Sequence, residues 1–123
     1  MGLSHLAIVN ALNDFEVVAI CDSAALVGEV IQKYGKLRYV SKFEDVLALD
    51  DVDAIIVATP TTSHAPMVRQ ALEKGLHVFC EKPLTLTAAE SEALAELAKS
   101  RGLIAQVGYH NRFIGTFNEV KRL

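Results

Sequence analysis

Apolar strand patterns alternate with helical patterns along this chain, and that alternation constrains its fold more than any other feature. Short runs rich in Val, Ile and Phe occur at 15–21, 37–40, 53–58, 77–80 and 104–109. Apolar residues at helical spacing occur at 3–11, 24–34, 42–49, 64–74, 88–101 and from Thr116 onward. Strands joined by helices in this way form right-handed βαβ units. We therefore expect an α/β fold in which helices cover both faces of a parallel sheet.

Local signals predict where several helices begin. Ser41 and Glu44 form a capping-box pattern, and Ser63 and Thr87 stand where N-cap side chains would accept hydrogen bonds from the following helices. The run at 54–58 is apolar at every position, which is typical of a strand buried on both faces of a parallel sheet.

Composition excludes several classes of protein. With 123 residues, of which 51% are hydrophobic and 22% charged, the chain can form one domain with a real core and is not disordered. Its net charge of −3 and the lack of a Lys/Arg cluster argue against a nucleic-acid partner. No apolar stretch approaches the roughly 20 residues of a membrane span, so no membrane partner is expected. Cys21 and Cys80 end apolar runs, which predicts buried thiols and a cytoplasmic location.

Polar residues follow the predicted strands, and ligands of open parallel sheets bind at that edge. Asp22 ends the strand at 15–21 and lies about 20 residues after Gly2, the interval that separates a glycine-rich phosphate loop from a ribose-binding carboxylate. A carboxylate there accepts hydrogen bonds from the adenosine ribose and repels the 2′-phosphate of NADP. An ordinary cap of the next helix explains Asp22 equally well.

Two further strand ends carry candidate site residues. In Glu81-Lys82-Pro83, the proline keeps Lys82 out of the helical region, so we expect the lysine to point into the crevice. The alternative is a surface turn with a solvated lysine. His64 begins a predicted helix, where a site role and a plain cap-region role carry nearly equal weight. We expect His5 to face solvent and His77 to be structural, and no spacing predicts a metal site.

These motifs resemble the Gfo/Idh/MocA family of nicotinamide-dependent sugar and cyclitol oxidoreductases. The resemblance is carried by 18–22, 53–60 with His64, 75–83 and 108–113, and it covers the whole chain. It implies a doubly wound, Rossmann-like sheet that lacks its first strand, with Gly2 as the third glycine of the phosphate loop. Without that strand, the sheet either has a gap at its centre or pairs 15–21 with 54–58. Thr61 stands where the family usually has Asn.

The resemblance also implies functional roles. The cofactor is NAD, with NADP disfavoured, and the substrate is a secondary hydroxyl of a sugar, inositol or related polyol. Lys82 is the expected catalytic residue, and the expected cofactor-binding residues are Gly2, Asp22, Thr59, Pro60, His64, Glu81 and Lys82. The substrate-side residues are His110, Asn111 and Arg112. Residues 1–123 would then be a partial dinucleotide-binding domain, inactive without the family's second domain.

The full-length protein is expected to be a homo-oligomer. A rival interpretation keeps the Rossmann-like fold without turnover, as a nucleotide-sensing or protein-interaction module.

Overall fold

A computed structural model describes residues 1–34 and 37–123, in which helices and strands alternate in the expected order. The helices are α1 (Gly2–Val9), α2 (Ala25–Tyr34), α3 (Phe43–Leu47), α4 (His64–Lys74), α5 (Ala88–Ser100) and α6 (Gly115–Arg122). The strands are β1 (Ala19–Cys21), β2 (Arg38–Val40), β3 (Ala54–Val57), β4 (His77–Cys80) and β5 (Ala105–Val107). Short 3₁₀ helices occupy Thr61–Ser63 and His110–Phe113.

The strands are all parallel to their neighbours, but they form two sheets. In one, β1 pairs with β2; in the other, β4 lies between β3 and β5. No pairing joins β1 to β3 in the described part of the chain. The α/β class with parallel strands is therefore confirmed. The sequence allowed either a gap at the centre of the sheet or a pairing of 15–21 with 54–58, and the described residues show the gap.

The main core lies where α4 and α5 pack against the three-stranded sheet. Its members are buried apolar side chains, namely Val57, Val68, Ala71, Leu72, Leu76, Val78, Cys80, Leu94 and Ala98. The prediction that the third strand is buried on both faces is wrong. Val57 is 2% exposed beneath α4, whereas Ile56, on the opposite face of β3, is 44% exposed. A run that is apolar at every position has no alternating pattern, so the sequence does not show whether one face of the strand or both faces are covered.

The helix caps were predicted with mixed success. The Thr87 hydroxyl accepts a hydrogen bond from the Glu90 N–H at 3.3 Å, as expected of an N-cap. The capping box at Ser41 is wrong, because α3 begins one residue later and has Lys42 as its N-cap. Glu44 is consequently the second residue of the helix, not the third that a capping box requires. Ser63 does occupy the N-cap of α4, but its side chain makes no capping bond, and its backbone is already helical (φ −93°, ψ −12°).

Two other predictions concern side chains away from the candidate site. The Cys21 thiol is exposed, so its predicted burial is wrong, whereas Cys80 is buried. Only three residues of the first apolar run form a strand, and Cys21 is the last of them. The structural role of His77 has support, because its Nδ1 accepts a hydrogen bond from the Ile104 N–H at 3.0 Å.

Candidate functional site

Backbone hydrogen bonds align the ends of the three strands in the larger sheet. The Glu81 N–H donates to the Val57 carbonyl at 2.9 Å, and the Gly108 N–H donates to the Cys80 carbonyl at 2.9 Å. The segments that follow β3, β4 and β5 therefore leave from one edge. This is the edge at which open parallel sheets bind ligands.

His5 and Glu81 are joined at this edge. The His5 Nε2 lies 2.7 Å from the Glu81 Oε1, and the two side chains are 19% and 13% exposed. The His5 ring also meets the Phe79 ring in a T-shaped contact, with centroids 5.3 Å apart. The prediction that His5 faces solvent is therefore wrong. The sequence spacing of α1 shows a helix but contains no information on where that helix docks.

Two hydrogen bonds hold the Glu81 carboxylate. The hydrogen bond from His5 lowers the pKa of the Glu81 carboxyl; partial burial opposes this, and the Lys82 N–H adds to the lowering. That N–H donates to the second carboxylate oxygen, Oε2, at 3.2 Å. Glu81 is thus ionised at neutral pH and held at both oxygens, directly beside the exposed Lys82 side chain.

Gly108 leaves room for this cluster, a role that sequence reasoning missed. A Cβ at Gly108 would lie 3.1 Å from the Phe79 Cζ and 3.5 Å from the Glu81 Oε2. The first distance is closer than ordinary carbon–carbon contact. A glycine that directly follows the last strand was the one available signal. We refer to His5, Phe79, Glu81 and Gly108 as the β4-edge cluster.

The buried His64 side chain contacts two of the segments that follow the strands at this edge. Its side chain is 1% exposed, with Nδ1 2.7 Å from the Pro83 carbonyl oxygen and Nε2 2.9 Å from the Thr59 carbonyl oxygen. Carbonyl oxygens only accept, so whichever ring nitrogen carries a proton donates it. His64 therefore links the loop after β3 to the turn after β4. Its proposed contact with the cofactor ribose remains a prediction.

The turn after β4 presents Lys82 to solvent. The Lys82–Pro83 peptide bond is cis, and the Lys82 side chain is exposed. The Thr59 hydroxyl, on the adjacent loop, donates to the Met67 sulfur at 3.6 Å, and both Thr59 and Pro60 are exposed. The structure therefore brings five predicted residues to one edge: Thr59, Pro60, His64, Glu81 and Lys82.

Asp22 lies at the end of β1, in the other sheet. Its Oδ1 accepts a hydrogen bond from the Ala24 N–H at 2.8 Å, in the turn before α2, whereas the helix-cap interpretation expects an N–H of the first helical turn as the donor. Each carboxylate oxygen can accept two hydrogen bonds, so this exposed side chain keeps acceptor capacity for a ribose. The carboxylate therefore remains available to a ribose, while its own hydrogen bond stays within the turn before α2.

The remaining predicted residues are exposed. His110, Asn111 and Arg112 lie in the 3₁₀ helix that follows β5. Gly2 begins α1, and a Cβ there would meet nothing within 4 Å, so its surroundings do not explain a glycine.

Cys80 does not suit nucleophilic chemistry. Burial and the neighbouring Glu81 charge raise the pKa of its thiol to about 11, so little thiolate exists at neutral pH. In the described part of the chain, no three His, Cys, Asp or Glu side chains are grouped to hold a metal ion. Within the same residues, no helix has both the length and the apolar character of a membrane span.

Comparison with known proteins identifies the family. The sequence profile described as "Oxidoreductase family, NAD-binding Rossmann fold" matches residues 1–109. The chain belongs to the Gfo/Idh/MocA oxidoreductase family. The resemblance noted from the motifs is thus confirmed, as is the Rossmann fold class, and the matched region is the NAD-binding domain of the Gfo/Idh/MocA family.

Individual Gfo/Idh/MocA relatives are about three times as long. The chain is 35% identical to the scyllo-inositol 2-dehydrogenase (NAD(+)) of Bacillus subtilis over 129 residues, which covers 99% of this chain and 38% of that protein. The structure of myo-inositol 2-dehydrogenase from Lactobacillus plantarum superposes with a TM-score of 0.80 at 29% identity, covering 93% of this chain and 34% of that one. A 3-ketoreductase from Actinomadura kijaniata, solved with NADP, gives 0.82 at 30% identity, covering 94% and 35%. The chain therefore spans just over a third of the length of these relatives.

Proposed function

We propose that residues 1–123 form part of the dinucleotide-binding domain of an NAD-dependent oxidoreductase that acts on a secondary hydroxyl of a sugar, inositol or related polyol. The observation that carries this proposal is the exposed Lys82 beside an ionised Glu81 at the ligand-binding edge. Relatives named as inositol dehydrogenases support the substrate class.

NAD is the proposed cofactor, and NADP the disfavoured one. The residues of this chain fit a dinucleotide in two respects. Asp22 is exposed and retains acceptor capacity for ribose hydroxyls, and the edge after β3 and β4 is exposed at Thr59, Pro60 and Lys82. One structural relative was solved with NADP and one sequence relative is named for NAD(+), so the proposed preference here depends on Asp22. A carboxylate placed next to a 2′-phosphate would bring like charges together in a partly dry crevice.

Lys82 is the proposed catalytic residue. Bound nicotinamide would accept or supply the hydride, and the protein must orient the substrate carbon and handle the hydroxyl proton. The Lys82 ammonium would donate a hydrogen bond to the reacting oxygen and stabilise the negative charge that develops there. Glu81, held by His5, places a carboxylate on the residue that directly precedes Lys82.

The other predicted residues have supporting roles in this proposal. Gly2, Thr59 and Pro60 would border the cofactor, and His64 would hold the Thr59 loop against the Lys82 turn. The exposed 3₁₀ helix with His110, Asn111 and Arg112 would face the substrate, where the Arg112 guanidinium offers several donors to hydroxyl oxygens. We also propose a cytoplasmic homo-oligomer, a location that agrees with two free thiols.

A substrate panel tests this proposal. Native protein is incubated with NAD or NADP and with inositols, aldoses, simple 2-hydroxy acids or primary alcohols, and reduced nicotinamide is followed by absorbance. The expected result is turnover confined to the cyclitols or sugars, with NAD preferred. Turnover of only the 2-hydroxy acids or primary alcohols would contradict the proposed substrate class. NAD binding with no turnover on any alcohol would favour the nucleotide-sensing interpretation instead.

A further inference from the structure

A tyrosine from the neighbouring strand holds the loop that carries Asp22. The Tyr39 hydroxyl donates to the Asp22 carbonyl oxygen at 2.6 Å and lies 3.3 Å from the Ala24 carbonyl oxygen. The Asp22 N–H donates to the Val40 carbonyl at 3.3 Å, and the Asp22 Oδ1 accepts from the Ala24 N–H at 2.8 Å. Hydrogen bonds therefore hold Asp22 at three groups: its backbone N–H, its carbonyl oxygen and its carboxylate.

A glycine in α2 makes this position of the tyrosine ring possible. A Cβ at Gly28 would lie 2.6 Å from the Tyr39 Cε1 and 2.7 Å from its Cζ, well inside van der Waals contact. Gly28 is buried in the middle of the helix, where glycine is less favourable than alanine. The ring thus packs directly on the helix backbone, and any side chain at position 28 would displace it.

We propose that Tyr39 and Gly28 are positioning residues for cofactor selection, acting through Asp22. This inference rests on the proposed role of Asp22 as the ribose-binding carboxylate. Discrimination against a 2′-phosphate requires a carboxylate that cannot turn aside, because a mobile one relieves the repulsion by moving. The Tyr39 hydroxyl restrains the peptide from which that carboxylate projects, and Gly28 allows the hydroxyl to reach it.

Tyr39→Phe removes one oxygen and leaves the ring in place. The Asp22 carbonyl then loses its donor, and the turn between β1 and α2 gains freedom to shift when the bulkier cofactor binds. We expect NAD affinity to change little and NADP affinity to rise, so that the preference for NAD falls by about three- to tenfold. Gly28→Ala should act in the same direction, because its methyl group displaces the ring.

The test is a set of calorimetric dissociation constants for NAD and NADP on the native protein and its variants. Asp22→Ala should abolish most of the preference. In the Asp22→Ala background, Tyr39→Phe should change the ratio of the two constants by less than about twofold, because no carboxylate remains to position. A tyrosine that only stabilises the fold would lower the melting temperature without changing the ratio. If Gly28→Ala does not fold, Tyr39→Phe still decides the question.

The outcomes separate the inference from the proposed function beneath it. If Asp22→Ala reduces the preference for NAD and Tyr39→Phe leaves it unchanged, the inference is overturned and the role of Asp22 stands. If Asp22→Ala itself leaves the preference unchanged, both the role of Asp22 and the positioning role of Tyr39 are overturned. A lower preference in Tyr39→Phe that disappears in the Asp22→Ala background supports both.

Discussion

The His5 Nε2 and the Glu81 Oε1 lie 2.7 Å apart, although 76 positions separate the two residues in sequence. This contact docks the first helix onto the end of β4 and lowers the pKa of the Glu81 carboxyl, which directly precedes Lys82 in the chain. The helix that begins at Gly2 and the Glu81-Lys82-Pro83 turn therefore form one unit at the edge where the strands end. Changes in one should be measurable in the other.

His5→Ala should raise the pKa of Glu81 toward its ordinary value, because the hydrogen bond from His5 is the largest cause that lowers it. Carbon-13 NMR of the glutamate carboxyl groups, followed through a pH titration, measures this directly. His77→Ala is the matched control, since His77 lies at the opposite end of β4 and its removal should leave the Glu81 titration unchanged. An unchanged Glu81 titration in His5→Ala would mean that the hydrogen bond from His5 does not lower the pKa of the Glu81 carboxyl.

Glu81 should make the stability of the protein depend on pH in the acid range. Its folded-state pKa lies below the ordinary 4.5, so the folded state favours the charged form. The resulting stabilisation is fully present above 4.5 and is lost as the pH falls through the lower, folded-state pKa. We expect Glu81→Gln to cost about 1.5–3 kcal/mol at pH 7, the usual value of a hydrogen bond to a charged group, and little at low pH.

Urea unfolding of both proteins at several pH values measures that difference. A cost that stays the same from neutral to low pH would show that the charge of Glu81 is not what stabilises the fold.

Variants of His64 should separate its contacts with the Pro83 and Thr59 carbonyl oxygens. His64→Ala removes a fully buried ring and leaves the Thr59 and Pro83 carbonyls without it, so we expect a loss of about 2–4 kcal/mol. In His64→Asn the amide nitrogen replaces Nδ1, and in His64→Gln it replaces Nε2. Each of these variants should therefore recover part of the stability that His64→Ala loses. Chemical denaturation compares the three. Equal losses in all three would contradict the bridging role.

Gly108→Ala should strain the β4-edge cluster, because the new methyl group would press on Phe79 and approach Glu81. We expect a loss of about 1–2 kcal/mol, and a second substitution, Phe79→Leu, should recover part of it by vacating the space. Gly115→Ala is the control, since a Cβ there meets nothing within 4 Å. Thermal unfolding that is the same for Gly108→Ala and Gly115→Ala would show that the close approach is unimportant.

The parts of this fold that sequence predicted are those determined by neighbours along the chain. The Thr87 cap, helix α4 and strand β4 each follow from residues within a few positions. Placement in three dimensions was not available from such signals. The exposed face at Ile56 depends on what covers β3, and the docking of His5 depends on a contact 76 positions away.

The candidate site divides in the same way. Strand-end reasoning placed Thr59, Glu81 and Lys82 at one edge, because parallel strands end together. The supporting residues, among them Tyr39 and Gly108, were not predicted. Their roles arise from packing between helices and strands, and residue type and spacing along the chain do not predict that packing.

Lys82→Ala in the native protein tests the central claim most directly. Steady-state kinetics on the best polyol and calorimetric titration of NAD separate catalysis from cofactor binding, and Lys99→Ala serves as the control, an exposed lysine near the end of α5. We predict that kcat falls by about 100-fold or more, while the Kd for NAD changes by less than about threefold, because the lost hydrogen bond strengthens in the transition state. A kcat within a few-fold of the native value, about 1 kcal/mol or less in barrier, would contradict the catalytic role of Lys82.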